Sequence, residues 1–567
     1  MSNLIIVSSQ YKNIPARDKE IPESRIVKYA TTLKNEPISF QALYKTPRPN
    51  ARIPVTLSIE SVLPISAYRV DYVPLLYPCT FEGTDAYEYT EPGLYPDVLQ
   101  PREANPEIIR ADIAYGTGVT HFEADTDNTL VATNIYQSVW FTVNPKSKPL
   151  RKGKYELTVT LRELDGLTLI ASERITLEIV DAMLPASSIY YTNWFHVDCL
   201  CDTHGVKPYT AAFYKIFDRY ITNMTLHGQN TLLLPAFTPP LDTTVGGERM
   251  NVQLVEIEKT ADGWHFGFEK MKKFVSHAKK CGVTYFEHSH LFSQWGAKHA
   301  PNIYTKDGAR IFGFDTDAES AEYVNFIRKY LAEFFEFAKS EGIEKRLIFH
   351  ISDEPKIHQL PYYRSAKESV KDLLCGSPVC DAMDDLEFYT EGLVDQPIFY
   401  ITAEKSLTAD CPDKWIYYTG AEKLTSNRKL SNTAAATRVI GLYLYKYESK
   451  GFLQWAYNYC YDRLSYGICD PKSAPGAYKM FPGIANLCYP VTFRGKHGAI
   501  PSVREELMRE AMDDLRALKL LESKIGREAT LAICESRLGE ISIATMPRGE
   551  DIRLLREEIN AKIKELI

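Results

Sequence analysis

Asp353 and Glu354 stand side by side in His350-Ile351-Ser352-Asp353-Glu354-Pro355, directly after the apolar run Leu347-Ile348-Phe349. An adjacent acid pair is common in itself. With 73 acidic residues in 567, about nine such pairs arise by chance, as Asp384-Asp385 and Asp513-Asp514 illustrate. What distinguishes this pair is its place where a buried-looking strand runs out. Alternation along a strand would send the two carboxyls to opposite faces, so both reach one cleft only where the alternation breaks. Pro355 supplies a reason for that break, and it biases Glu354 towards extended backbone.

Neighbouring carboxyls do not suit a two-carboxylate glycosidase, whose groups sit about 5–5.5 Å apart for retention or about 6.5–9.5 Å for inversion, usually on different strands. They suit hydrolysis in which a sugar's own 2-acetamido oxygen attacks its anomeric carbon. One carboxyl then protonates the leaving oxygen, and its neighbour orients the acetamide and balances its developing charge. Repulsion between like charges raises one pKa and is expected to keep the outer carboxyl, Glu354, protonated for this task.

Other residues of suitable type lie at expected strand ends. Trp455 beside Tyr457 and Asn458 offers a flat face next to polar groups. His288 and His290 share one face of a strand and either reach the cleft or pack with satisfied hydrogen bonds. Tyr417 and Tyr418 end a later strand, where core packing is the plainer role and a hydrogen bond to an acetamide the functional one. Asn432 and Arg438 flank a helix, with a structural role the simpler reading for Arg438. In His196-Val197-Asp198-Cys199-Leu200-Cys201-Asp202-Thr203-His204, a strand through Asp198 would turn Cys199 away from His196 and Asp198, so no metal site is expected. No glycine-rich phosphate loop follows any strand, and no cofactor is expected.

The elements that position these residues fall into three regions: a sandwich over 1–185, a barrel over 186–500 and helices over 501–567. In the first, Ile53 to Ile59, Ser138 to Val143, Tyr155 to Leu161 and Ile175 to Val180 alternate with period two between Pro- and Gly-containing turns, among them Pro47-Arg48-Pro49, which reads as an antiparallel β-sandwich. From Ser187 onward, short apolar strands alternate with helices. Tyr190 to Val197, Thr231 to Phe237, Tyr285 to Phe292, Arg346 to Ile351, Val379 to Met383, Pro397 to Ile401, Trp415 to Tyr418 and Phe452 to Trp455 make eight, the count of a (β/α)8 barrel. An open doubly wound sheet is the structural rival. Past Pro501 the chain is helical, with Ser502 and Glu505 at capping-box spacing; these helices are expected to cover the barrel's outside or its N-terminal face.

Composition fits a large globular chain. Hydrophobic residues make up 45% and aromatics 12%, with 36 Tyr, 25 Phe and 6 Trp, so disordered, collagen-like and small disulfide-stapled classes are excluded. A formal charge of −7 without basic blocks argues against nucleic acid as a partner. No apolar run nears the roughly 20 residues that span a bilayer, and the start Met-Ser-Asn-Leu-Ile-Ile-Val does not read as a secretory signal. The eleven scattered cysteines agree with the expected cytoplasmic location. A homodimer is left open.

The His350 to Pro355 motif, Gly451-Phe-Leu-Gln-Trp455-Ala-Tyr457-Asn458, Pro501-Ser502-Val-Arg504-Glu505 and Arg509-Glu-Ala-Met-Asp513-Asp514 together resemble glycoside hydrolase family 123, over about residues 135–520. Asn193-Trp194-Phe195-His196-Val-Asp198 is similar to that family's opening barrel strand, and Ser138-Val-Trp140-Phe-Thr-Val to a strand of its sandwich. The resemblance implies a β-N-acetylgalactosaminidase acting on an oligosaccharide or glycoconjugate by the substrate-assisted route. Glu354 would be the general acid/base and Asp353 the residue that orients the acetamide. Trp194, His196, Asp198, Trp455, Tyr457 and Asn458 would line the sugar site; His288, His290, His350 and Tyr417 complete the expected binding set. Two departures are that family members are often exported, and that Gly467 to Lys479 stands where a more acidic, glycine-rich loop is the pattern. The alternatives are a carbohydrate-binding relative without activity, and a glycosidase of different sugar specificity pairing Glu354 with Asp198 or Asp384.

Overall fold

The computed structural model describes residues 3–567 apart from 16, 47–52, 80–85, 102–107, 110–129, 133, 164–165, 240–247, 294–295, 466, 474–480, 494–495 and 549. The Pro47-Arg48-Pro49 turn and the end of the 467–479 stretch lie outside the described residues.

The N-terminal region holds two sheets. One runs in the order Leu4–Ser8, Ile38–Tyr44, Gln137–Val143, Ile65–Leu75, Gly93–Pro101, antiparallel throughout. The other runs Tyr29–Leu33, Leu169–Val180, Gly153–Glu163, Ile53–Glu60, Ile108–Ile109, with Leu130–Ala132 also on Ile53–Glu60. Phe40, Val139 and Phe141 of the first sheet form one core with Leu57, Leu157, Val159 and Leu177 of the second, which is what period-two patterning dictates. One pairing departs from expectation: Tyr29–Leu33 lies parallel to Leu169–Val180, so the arrangement is not purely antiparallel.

The outer face of the first sheet is buried as well. Trp140, Val70 and Leu99 pack against Val503 and Leu507 of the helix Val503–Ile525 and against Ala434. That helix is therefore not a cover on one outer face; it is wedged between the sheet and the helices Ala434–Arg438 and Ile440–Lys446. Ser502 caps it by accepting the Glu505 N–H at 3.0 Å. At Gly441 the helices approach so closely that a Cβ would lie 2.1 Å from the Ala511 carbonyl oxygen.

All eight expected parallel strands are present, seven of them shorter than their apolar runs and the eighth of the same length but one residue earlier: Tyr190–Asn193, Thr231–Leu234, Tyr285–His288, Leu347–Phe349, Ala382–Met383, Ile398–Tyr400, Trp415–Tyr417 and Gly451–Gln454. They are called the first to eighth strands below. The first, eighth, seventh, sixth and fifth form one sheet in that order, and the second, third and fourth form another. Between the sheets, Phe349 and Val379 make a parallel bridge, and Tyr191 and Asn230 exchange hydrogen bonds through the Asn230 N–H and Oδ1. Alternate residues separate cleanly. Leu233, Ile348, Ala382, Ile398, Trp415, Tyr417 and Leu453 form one cluster, while Leu232, Phe286, Phe349, Phe399 and Phe452 face the helices. Chief among those helices is Ala321–Ser340, capped by Ser320 and packed by its Tyr323, Ile327, Leu331 and Phe334 stripe. No helix among the described residues is long and apolar enough to cross a membrane.

The regions are joined by a buried ion pair. Arg504, on the wedged helix, donates to Asp97 of the first sheet from Nη2 at 2.8 Å and from Nε at 3.0 Å, and both side chains are fully enclosed. Its Nη1 donates to the carbonyls of Arg428 and Asn486, and Tyr489 adds a 2.6 Å hydrogen bond to Asp97. Removing one partner strands a buried charge. Asp97→Ala is expected to destabilise the protein by about 3–5 kcal/mol in urea unfolding, and a loss below about 1 kcal/mol would show that this pair does not join the regions.

Candidate active site

The fourth strand ends at Phe349, and the chain then makes a fixed turn. The Ile351 and Ser352 N–H groups both donate to Asp381 Oδ2, at 3.0 and 3.2 Å. Ser352 Oγ donates to the Ser293 carbonyl at 2.7 Å and accepts the Gly296 N–H. Beyond the pair, Lys356 N–H donates to Gln359 Oε1, and Ile357 N–H to Asp385 Oδ2. Held on both sides, Glu354 takes a φ of +44°. This corrects the extended backbone expected from Pro355: the anchors impose a left-handed residue, at a local cost on the order of 1 kcal/mol or more. The strand alternation breaks here.

Both carboxyls are half-buried. Tyr417, at the end of the seventh strand, donates to Glu354 Oε1 at 2.9 Å. Burial, the Glu354 carboxylate and then the Asp381 carboxylate push Asp353 well above the usual carboxylate range. The upward shift thus falls on the inner carboxyl, whereas the sequence reading places it on the outer one. The reason is that desolvation and a second acid, Asp381, act on Asp353.

Behind the turn lies a buried charge network. His350 donates from Nε2 to Glu287 Oε2 at 3.0 Å and from Nδ1 to Asp381 Oδ1 at 3.2 Å. Burial opposes a charge on His350, but the hydrogen bonds and the charges of these two carboxylates outweigh it and raise the imidazole to about 10. Trp194 Nε1 donates to Glu287 Oε2 at 2.9 Å, and Tyr363 donates its hydroxyl to Asp381 Oδ2. His290 stacks on His350 with centroids 4.9 Å apart, and burial followed by the neighbouring His350 charge pushes it well below its ordinary value.

The other expected binding residues divide. Trp455 is part-exposed in the cluster that holds Tyr417, with its Nε1 on the Thr419 carbonyl at 3.2 Å. Trp194 belongs to the same cluster but is buried and committed to Glu287. His350 has both nitrogens spent on carboxylates, which leaves none for a sugar. His288 is corrected to a core residue: the third strand ends there, its ring points to the helix side, and it bonds the Ser289 carbonyl and Tyr330. Tyr457 is likewise core, enclosed and bonded to Asn223 and Glu505. Asn458 clasps the His196 backbone, accepting its N–H at 2.8 Å and donating to its carbonyl at 3.0 Å. Tyr418 is core against Phe452, and Arg438 is ion-paired to Glu510 and Asp514.

The first strand stops at Asn193, so Asp198 lies on the helix Val197–His204. His196, Asp198 and Cys199 therefore converge, contrary to the strand-based expectation. The Arg249 guanidinium sits among them, bonded to both Asp198 oxygens at 2.7 and 2.8 Å and to His196 Nδ1 at 3.2 Å. Burial and this guanidinium lower His196 to about 4. His290, His350 and Asp381 form a second group of ligand-type side chains, in which the imidazolium is itself the cation. Glu287, Asp381, Tyr363 and Arg249 were not anticipated. The available signal for the two acids was a lone carboxylate inside an apolar strand, as in Tyr285-Phe286-Glu287 and Val379-Cys380-Asp381-Ala382.

A family model described as the glycoside hydrolase 123 catalytic domain matches residues 194–521. The structure of a family 123 glycoside hydrolase from Clostridium perfringens, studied for glycolipid glycan hydrolysis, aligns with a TM-score of 0.71 and 13% identity over 99% of this chain and 97% of that one. At that identity the likeness concerns the fold. β-Glucuronidases from Bacteroides uniformis (TM-score 0.28, 10% identity, 86% of this chain and 48% of that one) and Ruminococcus gnavus (0.27, 8%, 90% and 98%) also align, at scores too low to argue from. No curated protein matches the chain.

The His350 network has a pH signature. A histidine raised from about 6.5 unfolded to about 10 folded lends stability that is fully present below pH 6.5 and is lost as pH rises through 10. Between about pH 7.5 and 9.5 the native protein is expected to lose stability more steeply than His350→Gln, by about 1.4 kcal/mol per pH unit. Urea unfolding across that range checks this, and parallel slopes would contradict it.

Proposed function

Because the chain belongs to glycoside hydrolase family 123, we propose that it removes a terminal β-linked N-acetylhexosamine, N-acetylgalactosamine first, by substrate-assisted retaining hydrolysis. The observation that carries this reading is the pair Asp353–Glu354 on one anchored turn, with Tyr417 donating to Glu354 and Asp353 pushed towards its protonated form by burial and the neighbouring carboxylates.

The sugar lies over the pair, against Trp455 and Tyr417. Its acetamide N–H donates to Asp353, which is best served by an ionised acceptor, so binding favours transfer of the shared proton to Glu354. Glu354 then gives that proton to the glycosidic oxygen as the acetamide oxygen attacks the anomeric carbon, and the aglycone leaves as an alcohol. Asp353 balances the charge of the oxazolinium that forms. In the second half, Glu354 takes a proton from a water that attacks the anomeric carbon, the ring reopens, and the configuration is retained.

The rival that pairs Glu354 with a distant carboxylate meets two obstacles. Asp198 is bound bidentately by Arg249, and Asp384 is ion-paired to Lys356 at 2.8 Å. In the favoured reading residues 186–500 close as a (β/α)8 barrel with the pair at the C-terminal ends of its strands, a sandwich over 1–185 precedes it, and helices over 501–567 follow.

General acid catalysis contributes roughly 10²–10⁴-fold. Glu354→Gln is expected to lose that much kcat on aryl β-N-acetylgalactosaminides with poor leaving groups and far less on those with acidic phenols, which need no proton. Near-normal turnover on poor leaving groups would place the acid elsewhere.

A further inference from the structure

Glu287, His350 and Asp381 are each almost wholly enclosed, and each engages another. Carboxylate oxygens cannot donate, so an imidazole with a carboxylate on both nitrogens carries hydrogen on both; the trio is one cation between two anions. Buried ion pairs are a weak means of stabilising a fold, because desolvation offsets most of their attraction. Their position gives a better reason. Asp381 spends its other oxygen on the two backbone N–H groups just before Asp353, so the same carboxylate that holds His350 also holds the turn.

We propose that Glu287, His350 and Asp381 are positioning residues that fix the Asp353–Glu354 turn and set how readily Asp353 passes its proton to Glu354 when an acetamide binds. This rests on the roles given above to Asp353 and Glu354. The charged and titratable groups facing Asp353 are Glu354 and Lys356 from its own turn, Asp381 and His350 from behind, and Tyr417 from the seventh strand. Facing His350 are Glu287, Asp381 and the neutral His290 and His288. Two fixed anions behind the turn would keep Asp353 protonated and unable to accept an N–H; the His350 cation offsets them. Among the described residues Glu287 makes no hydrogen bond to either carboxyl of the pair; it holds the imidazolium from the far side and adds its own negative charge behind the turn.

The test uses opposite charge changes. His350→Gln removes the cation and is expected to move the acidic limb of kcat/KM on an aryl β-N-acetylgalactosaminide up by about one pH unit. Glu287→Gln removes an anion while Asp381 keeps His350 charged, and is expected to move the limb down. A purely structural role would lower activity in both without opposed shifts, so limbs that stay put or move together overturn the proposal. The ¹³C-carboxyl titration of Asp353 in the full-length protein without substrate should show the same opposed shifts, and still decides the matter should His350→Gln fail to fold, since Glu287→Gln alone must then lower the Asp353 titration. The reading of function fails separately, as absence of 2-acetamido glycoside hydrolysis by the native protein; the titration remains measurable in that event, and opposed shifts there would uphold the electrostatic coupling.

Discussion

Placing two carboxyls on consecutive residues at the mouth of an apolar strand cluster requires something to hold the turn and something to manage its charge. Asp381 meets both needs. One oxygen gathers the Ile351 and Ser352 N–H groups and the Tyr363 hydroxyl, and the other engages His350. The left-handed Glu354 follows from that anchoring, and burial, the adjacent Glu354 and then Asp381 itself raise Asp353. The neighbouring histidines divide as well: His350 is charged between its anions, while burial holds His288 and His290 below their ordinary value.

The N-terminal sheets take part in this arrangement through a relay of buried polar contacts. Asp97 holds Arg504, Arg504 donates to the Arg428 carbonyl, and Arg428 donates to Asn193 Oδ1 at 2.6 Å. Asn193 ends the first strand and is followed by Trp194, whose indole N–H reaches Glu287. The wedged helix Val503–Ile525 thus links the sheet region to the wall behind the acid pair, which gives a physical reason for Pro501 to Glu505 sharing a pattern with residues of the site.

Much of this was legible in the sequence. Period-two runs locate strands of the N-terminal sheets, and eight apolar segments locate eight parallel strands, because burial on both faces leaves a continuous apolar signature. The acid pair was legible from its position after Leu347-Ile348-Phe349. Where reading failed, strand length was the usual cause. Apolar runs continue past the last ladder hydrogen bond, so alternation projected along them puts His290 on the face of His288 and keeps Asp198 on a strand, whereas Asp198 lies in the first turn of a helix. Tyr457 and Asn458 had the right neighbours, but one faces the core and the other serves the backbone of His196. Glu287 and Asp381 were missed because a single acid inside an apolar run looks like a surface position until its partner, 63 or 31 residues away from it along the chain at His350, is known.

The claim on which the account stands is that the substrate supplies its own nucleophile above Asp353. The most direct measurement compares hydrolysis of one aryl aglycone on β-N-acetylgalactosamine, β-N-acetylglucosamine and β-galactose, with a thiazoline mimic of the cyclised acetamide as competitor. Cleavage of a 2-acetamido sugar, little or none of the galactoside, and competitive inhibition by the thiazoline are expected. Cleavage of the galactoside as well as its 2-acetamido counterpart, with indifference to the thiazoline, would contradict it.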